Sequence, residues 1–334
     1  MMREPAGASF RSDRSAAVRD RISAVLSVAA DHRSGVPLAE LADLLPLEGA
    51  MRFDELERWL LAHPQLAAIA DGWVAEPGTD PHRSPETHAR WLRYNEVAQE
   101  LVQGPLGGLL DEINFLGISG STAYGGPGPD DDIDLVLFTP PDRLWWVVVR
   151  MHVRLRRWRR ASRGTTPPVC LNYGRATSAA EREFRAAHDF LFAREALAVR
   201  PLHGGREYAS LLRQSDWMRH HLPHLYDRRL REAASAPPDR TRARSGTGIW
   251  VANALAFVAS TLYLQCVGLV RNHRLRRQGR GDAVFRTETR WDRFSVSSVK
   301  FERIRARYDG ASLRAGGSVA SERDLGAPSG PSSP

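Results

Sequence analysis

Lysine is nearly missing from this chain: Lys300 is the only one among 47 basic residues. A formal charge of +8 would ordinarily direct attention to nucleic acid or another polyanion. An excess built from arginine alone fits a coding preference better than a surface selected for phosphate, so nucleic acid stays a weak expectation as a partner. Cysteine is equally scarce. Cys170 and Cys266 supply neither a disulfide framework nor a four-thiolate zinc site, which points to a reducing cytoplasm. Residues 1–18, MMREPAGASFRSDRSAAV, have no apolar core of the secretory kind, and the expected location is again cytoplasmic.

Long apolar runs of membrane-spanning length are missing too, with one exception. Residues 250–270, WVANALAFVASTLYLQCVGLV, carry no charge and lead into RNHRLRRQGR. That length and that basic flank fit a membrane span. However, Asn253, Ser260, Thr261 and Gln265 dilute the run, and no second run accompanies it. The expectation is therefore a buried helix in a helical C-terminal region, 248–309, with a membrane as the lesser alternative.

What is present is the composition of a globular protein, 42% apolar and 26% charged, with enough length for two or three modest domains. In residues 1–80, Val18, Ile22, Val25, Leu26 and Ala29 recur at helical spacing, GVPLAELADLLP offers a short second helix, and RFDELERWLLAHP a third with Phe53, Leu56, Trp59 and Leu60 on one side. Two short strands then flank Asp71-Gly72, a favoured hairpin turn. Three helices and a hairpin are similar to a winged helix-turn-helix. Asp54, Glu55 and Glu57 make the third helix a poor reader of DNA. A Pro-rich stretch, EPGTDPHRSP, precedes the next helix, and short strands alternate with helices up to about residue 226, the pattern of an α/β domain. Residues 227–247 read as an exposed polar linker, and the Gly-, Ser- and Pro-rich tail, 310–334, as disordered.

Chemistry concentrates in GISGSTAYGGPGPDDDIDLVLF, residues 117–138. Strand residues two apart face the same way, so Asp132 and Asp134 share one face while Ile133, Leu135 and Leu137 bury the other. Two such carboxylates can converge on divalent cations, and magnesium suits them because it takes carboxylate and phosphate oxygens while keeping waters. Gly120 lets backbone approach a phosphate without a Cβ in the way, and the Ser121 hydroxyl with the N–H groups of a short helix can hold a triphosphate.

Gly120-Ser121, ten intervening residues and Asp132-Ile133-Asp134-Leu135 resemble the signature of the DNA polymerase β-like nucleotidyltransferase superfamily, whose compact members include minimal and aminoglycoside nucleotidyltransferases. The stretches RLWWVVVRMHVRLRR, PVCLNY and LFAREALAVRPLHGGREYASLLRQSDW are similar to segments of uncharacterised bacterial proteins with such a domain. The resemblance implies an α/β nucleotidyltransferase fold, a small mixed sheet with helices over 87–226, and transfer of a nucleoside monophosphate from ATP or another nucleoside triphosphate to an unknown acceptor. It implies that Asp132 and Asp134 are catalytic magnesium ligands and that Gly120 and Ser121 bind the triphosphate. The superfamily usually adds a third carboxylate from a later strand. Here the matching strand, PPVCLNYG, carries Asn172 instead, and Asp189 or Glu183 is left to stand in. That departure keeps a second expectation open, a non-catalytic nucleotide-sensing protein whose winged helix serves regulation or interaction.

Lesser features have plainer expectations. Asp130 and Asp131 read as a solvated loop edge, the arginines of 150–160 as a solvated helix face, and His220, His221 and His224 as bystanders. Both cysteines read as small buried hydrophobes and Trp145-Trp146 as core.

Overall fold

The computed structural model describes residues 7–30, 35–45, 51–80, 85–236, 247–279, 284–299 and 302–308. It is a mixed α/β protein with two sheets. The expected disordered tail, 310–334, lies outside the described residues.

The first part comprises α1 (Gly7–Ala30), β1 (Val36–Pro37), α2 (Leu38–Asp43), α3 (Phe53–Leu61), β2 (Ala68–Ala70) and β3 (Trp73–Ala75), with antiparallel strands in the order β1-β3-β2. Asp71 and Gly72 both take positive φ, 48° and 78°, as the tight hairpin between β2 and β3 requires. Leu56 and Leu60 of α3 are buried, and Trp59 packs against the same core. Phe53 departs from its expected place. It opens α3 and leaves its ring at the helix's uncovered first turn, 47% exposed. This part is not tethered loosely. Val18, Ile22 and Leu26 belong to the same buried cluster as Phe138, Leu197 and Tyr208, the Arg21 guanidinium lies 3.5 Å over the Phe190 ring, and Arg228 pairs with Asp43. The expected boundary near residue 80 therefore divides the chain but not the core.

The second sheet has six strands in the order β7-β4-β5-β6-β9-β8. After α4 (Pro85–Gln103) and a 3-10 turn (Gly107–Glu112) come β4 (Phe115–Ser119), α5 (Gly120–Ala123), β5 (Ile133–Thr139), α6 (Leu144–Ala161) and β6 (Val169–Ala176). Then follow α7 (Thr177–Arg185), α8 (Phe190–Ala198), β7 (Arg200–His203), α9 (Gly205–Arg213), α10 (Trp217–His221) and α11 (Pro223–Ala234). The chain closes with α12 (Thr247–Arg277), β8 (Phe285–Arg290), β9 (Arg293–Ser298) and a final helix, α13, over 302–308. Only β5 and β6 run parallel, joined across one face by α6 as a parallel pair requires, and the other neighbours are antiparallel.

Both faces of the central strands are covered. Leu116, Ile118, Ile133, Leu135 and Leu137 pack against α4 and α6, with Trp145 and Met151 among their partners. Phe115, Val136 and Phe138 face the other way, toward Phe184, Leu191 and Tyr208, with the Phe115 and Phe138 rings stacked 5.1 Å apart. A strand covered on both faces reads as a nearly continuous apolar run, as LVLF does. Asp134 stands out against it.

Three expectations for the later chain are corrected. The supposed linker, 227–247, begins as helix, because α11 starts with Pro223 at its first turn and runs to Ala234. The supposed helical C-terminal region, 248–309, contributes β8 and β9 to the main sheet, where Tyr173, Gly174 and Arg175 pair with Ser295, Phe294 and Arg293. Its strand signal is a short alternation, of charged residues with threonine in FRTETR and of Phe294 and Val296 with serine in RFSVSS, with too little hydrophobicity to stand out beside the apolar run before it.

Third, α12 is not a buried helix. Only 11% of its apolar window is buried. One narrow stripe, including Asn253, Ala256 and Phe257, meets α6 and the sheet. Asn253 is fully buried, and its Oδ1 accepts hydrogen bonds from the backbone N–H groups of Trp145 and Trp146, at 2.9 and 3.1 Å. It thus caps the open end of α6 from another helix. Substituting Asn253→Ala is expected to lower unfolding stability by about 1–2 kcal/mol, read as a shift in denaturant midpoint, because one buried and one part-buried donor lose their acceptor.

Candidate functional site

Strand β4 delivers the chain to Ser119, which pairs across the sheet with Asp134 of β5. At the next residue the chain turns into α5, and Gly120 takes φ +63° to do so. A Cβ on Gly120 would lie 2.1 Å from Asp134 Oδ2. The glycine is therefore required first by the carboxylate, which occupies the space a side chain would fill. The half-exposed Ser121 follows as the second residue of α5.

Helix α5 and the loop from Tyr124 to Asp132 are held from one face of α4. Arg90 Nη1 donates to Pro127 O at 2.9 Å, Trp91 Nε1 to Thr122 O at 3.1 Å and Tyr94 Oη to Asp131 O at 2.9 Å. Asp131 is not merely a solvated edge, as expected. Its Oδ2 accepts from Gly128 N at 2.8 Å and closes the turn that leads into Asp132. Asp130 is exposed, as expected.

Asp132 immediately precedes β5, and Asp134 is half-buried within it. Burial pushes the Asp134 carboxyl up to about 8, and the negative charges of Asp132, Asp131 and Glu195 push the same way. Strand β6 completes this face with Cys170, opposite Asp134 in the parallel ladder, and Asn172, whose amide Nδ2 donates to Asp134 Oδ1. The Cys170 thiol is pushed up to about 12 by burial, by the charge of Asp132 and by a hydrogen bond to it. Cys170 is thus largely covered but borders the carboxylates instead of packing as a small hydrophobe, and Cys266, expected buried, is exposed.

The two acids expected to stand in for a third carboxylate have other duties. Asp189 caps α8, accepting from Phe192 N at 2.8 Å, and pairs with Arg305 at 2.9 Å. Glu183 pairs with Arg175 through two hydrogen bonds, at 2.5 and 3.1 Å. The acid whose charge reaches Asp134 is Glu195 of α8, a residue the motif does not reveal. Tyr124, directly after α5, donates to Glu195 Oε1 at 2.7 Å, and the Arg194 guanidinium lies 4.6 Å from the Tyr124 ring centre. Burial raises the Glu195 carboxyl, opposed by the Tyr124 hydrogen bond and by Arg194. Its one sequence signal is a lone acid in a helix that is otherwise mostly apolar, FLFAREALA.

The outcome is a compact polar patch at one end of β4, β5 and β6. Of the residues predicted together, Gly120 and Asp134 are in contact and Asp132 lies near enough to act on Asp134 by its charge, with Ser121 next to Gly120 along the chain. No group of three His, Cys, Asp or Glu suited to a metal ion is found among the described residues, so His220, His221 and His224 form none. No family model, no curated protein and no solved structure matches the chain.

Proposed function

We propose that this chain is a metal-dependent nucleotidyltransferase of the DNA polymerase β-like type, moving a nucleoside monophosphate from a nucleoside triphosphate to an acceptor and releasing pyrophosphate. The observation that carries this reading is the contact between Gly120 and Asp134, which joins a side-chain-free turn to a pair of acids on the neighbouring strand. Gly120 and Ser121 provide the open backbone and hydroxyl for the triphosphate. Asp132 and Asp134 would hold magnesium. The donor set fits such an ion: two adjacent carboxylates repel each other, the raised Asp134 retains its proton near neutrality without a cation beside it, and magnesium needs only one or two protein carboxylates when phosphates and waters fill the rest. When bound, the ion supplies neutralisation of the charge on the phosphates. Asn172 fixes the orientation of Asp134, and the α4 contacts fix the loop that delivers Asp132.

A second reading, nucleotide sensing without transfer, draws on Asn172, which occupies β6 where the superfamily places its third acid. In that reading the N-terminal unit, winged-helix-like in its strand order β1-β3-β2, serves interaction. DNA is a poor partner for it, since Arg52 and Arg58 of the α3 region both pair with Asp54, at 3.4 and 3.5 Å. Incubation with labelled nucleoside triphosphates and magnesium tests both readings. Pyrophosphate release supports transfer, saturable binding without release supports sensing, and neither binding nor release overturns both.

A further inference from the structure

The two adjacent helices α6 and α12 carry ten arginines and no acid at all. Their outer surface is also the most apolar on the described molecule. Leu255, Leu262, Leu269 and Val270 of α12 are each at least 62% exposed, and Trp250 and Tyr263 are more than half exposed. Contiguous exposure of this kind marks an interaction surface.

At the seam between the helices lies a cavity of about 310 Å³, lined among others by His152, Arg156, Trp158, Arg159 and Tyr263. The His152 and Tyr263 rings, 6.0 Å apart, bridge the two helices there. Basic groups around an aromatic-lined recess suit a phosphate group that carries an apolar body. The cavity is also backed by Val169 of β6, whose neighbours Cys170 and Asn172 turn to the carboxylate side, so it is separate from the candidate active site.

We propose that the α6–α12 face docks on an anionic phospholipid bilayer, lying in its surface, with the apolar side of α12 among the acyl chains and a lipid phosphate in the basic recess. Three observations select this occupant. The arginines, exposed at Arg156, Arg157, Arg159 and Arg160 of α6 and again at Arg271, Arg274, Arg276 and Arg277 of α12, flank the apolar face and complement anionic headgroups. A second copy of the same face would meet it with like charge. A spanning orientation would carry α6 into the hydrocarbon, because Asn253 and Tyr263 strap α12 to α6 at two heights. The inference does not depend on the nucleotide chemistry.

Flotation of the full chain with vesicles tests it. Binding is expected to vesicles of mixed phosphatidylglycerol and phosphatidylcholine, with much weaker binding to phosphatidylcholine alone and release in high salt or alkaline carbonate. Arg156→Gln with Arg159→Gln is expected to weaken binding about thirtyfold, and Leu255→Ser with Leu262→Ser to weaken it at least as much. Both substituted pairs are exposed, and unchanged circular dichroism confirms that the variants fold. Failure to float with the mixed vesicles, equal binding to both vesicle types, or retention after carbonate would overturn the proposal. A stable dimer in solution that Leu255→Ser with Leu262→Ser dissociates would also overturn it, by naming a second copy as the occupant.

Discussion

Replacing Asp132 and Asp134 together by asparagine is expected to lower turnover by at least about a thousandfold and to leave the protein folded. The variant loses the negative charges that would hold magnesium but keeps the shapes and most hydrogen-bonding capacity of the side chains. A stability measurement separates this from simple damage. The Asp134 carboxyl sits at about 8 in the folded chain, against an ordinary 3.8. Below pH 3.8 folded and unfolded chains both carry the proton, and stability is at its fullest. As pH rises toward 8, the unfolded chain ionises while the folded chain resists, so stability falls by up to about 1.4 kcal/mol per pH unit through that window. Above 8 the folded carboxyl ionises too, and the loss stops growing. Asparagine has no proton to lose. The difference in unfolding midpoint between wild type and Asp134→Asn should therefore shift in the variant's favour from pH 5 to pH 7.5. Magnesium at pH 7.5 should raise the wild-type midpoint and leave the double variant unmoved. Equal magnesium shifts in the two proteins would show that the ion binds elsewhere.

The parts of this structure that local chemistry determines were legible in the sequence. Asp71-Gly72 announces its hairpin because few residues other than glycine and its close substitutes tolerate two positive φ angles in succession. The β5 alternation places Asp132 and Asp134 toward one side because a strand repeats every two residues, and the buried Ile133, Leu135 and Leu137 fix which side faces the core. What could not be read depends on long-range pairing. Strand β9 joins β6 from more than a hundred residues away and carries β8 on its outer edge, and their short, largely polar alternation carries no record of that partner. Glu195 reaches the site because α8 is positioned beside the α5 turn, a relation of tertiary packing. Asp189 looked available only because an N-cap and an Arg305 partner are invisible in a list of acids. The α12 run illustrates the limit most directly. Hydrophobicity alone does not say whether a helix is covered by protein, by lipid or by a second chain, and here only a narrow stripe is covered by protein.

Substituting Gly120→Ala is expected to cost the site far more than the fold. The φ of +63° disfavours alanine by roughly 1–2 kcal/mol, a modest loss of stability. The added methyl would also lie 2.1 Å from Asp134 Oδ2 and 3.3 Å from its Cβ, so the carboxylate must move. It cannot swing freely, because Asn172 holds the other oxygen and β5 is packed on both faces. Displacement by about 1 Å at a reacting centre lowers rates by roughly a hundredfold, and turnover should fall by that factor or more. Combination with Asp134→Asn distinguishes the cause. If the methyl acts by moving this carboxylate, the double variant should turn over no more slowly than Asp134→Asn alone, a strong departure from multiplied effects. Multiplied losses would instead mean that Gly120 serves the triphosphate independently of Asp134. Rate measurements on three variants thus separate displacement of Asp134 by the methyl from the proposed role of Gly120 toward a triphosphate.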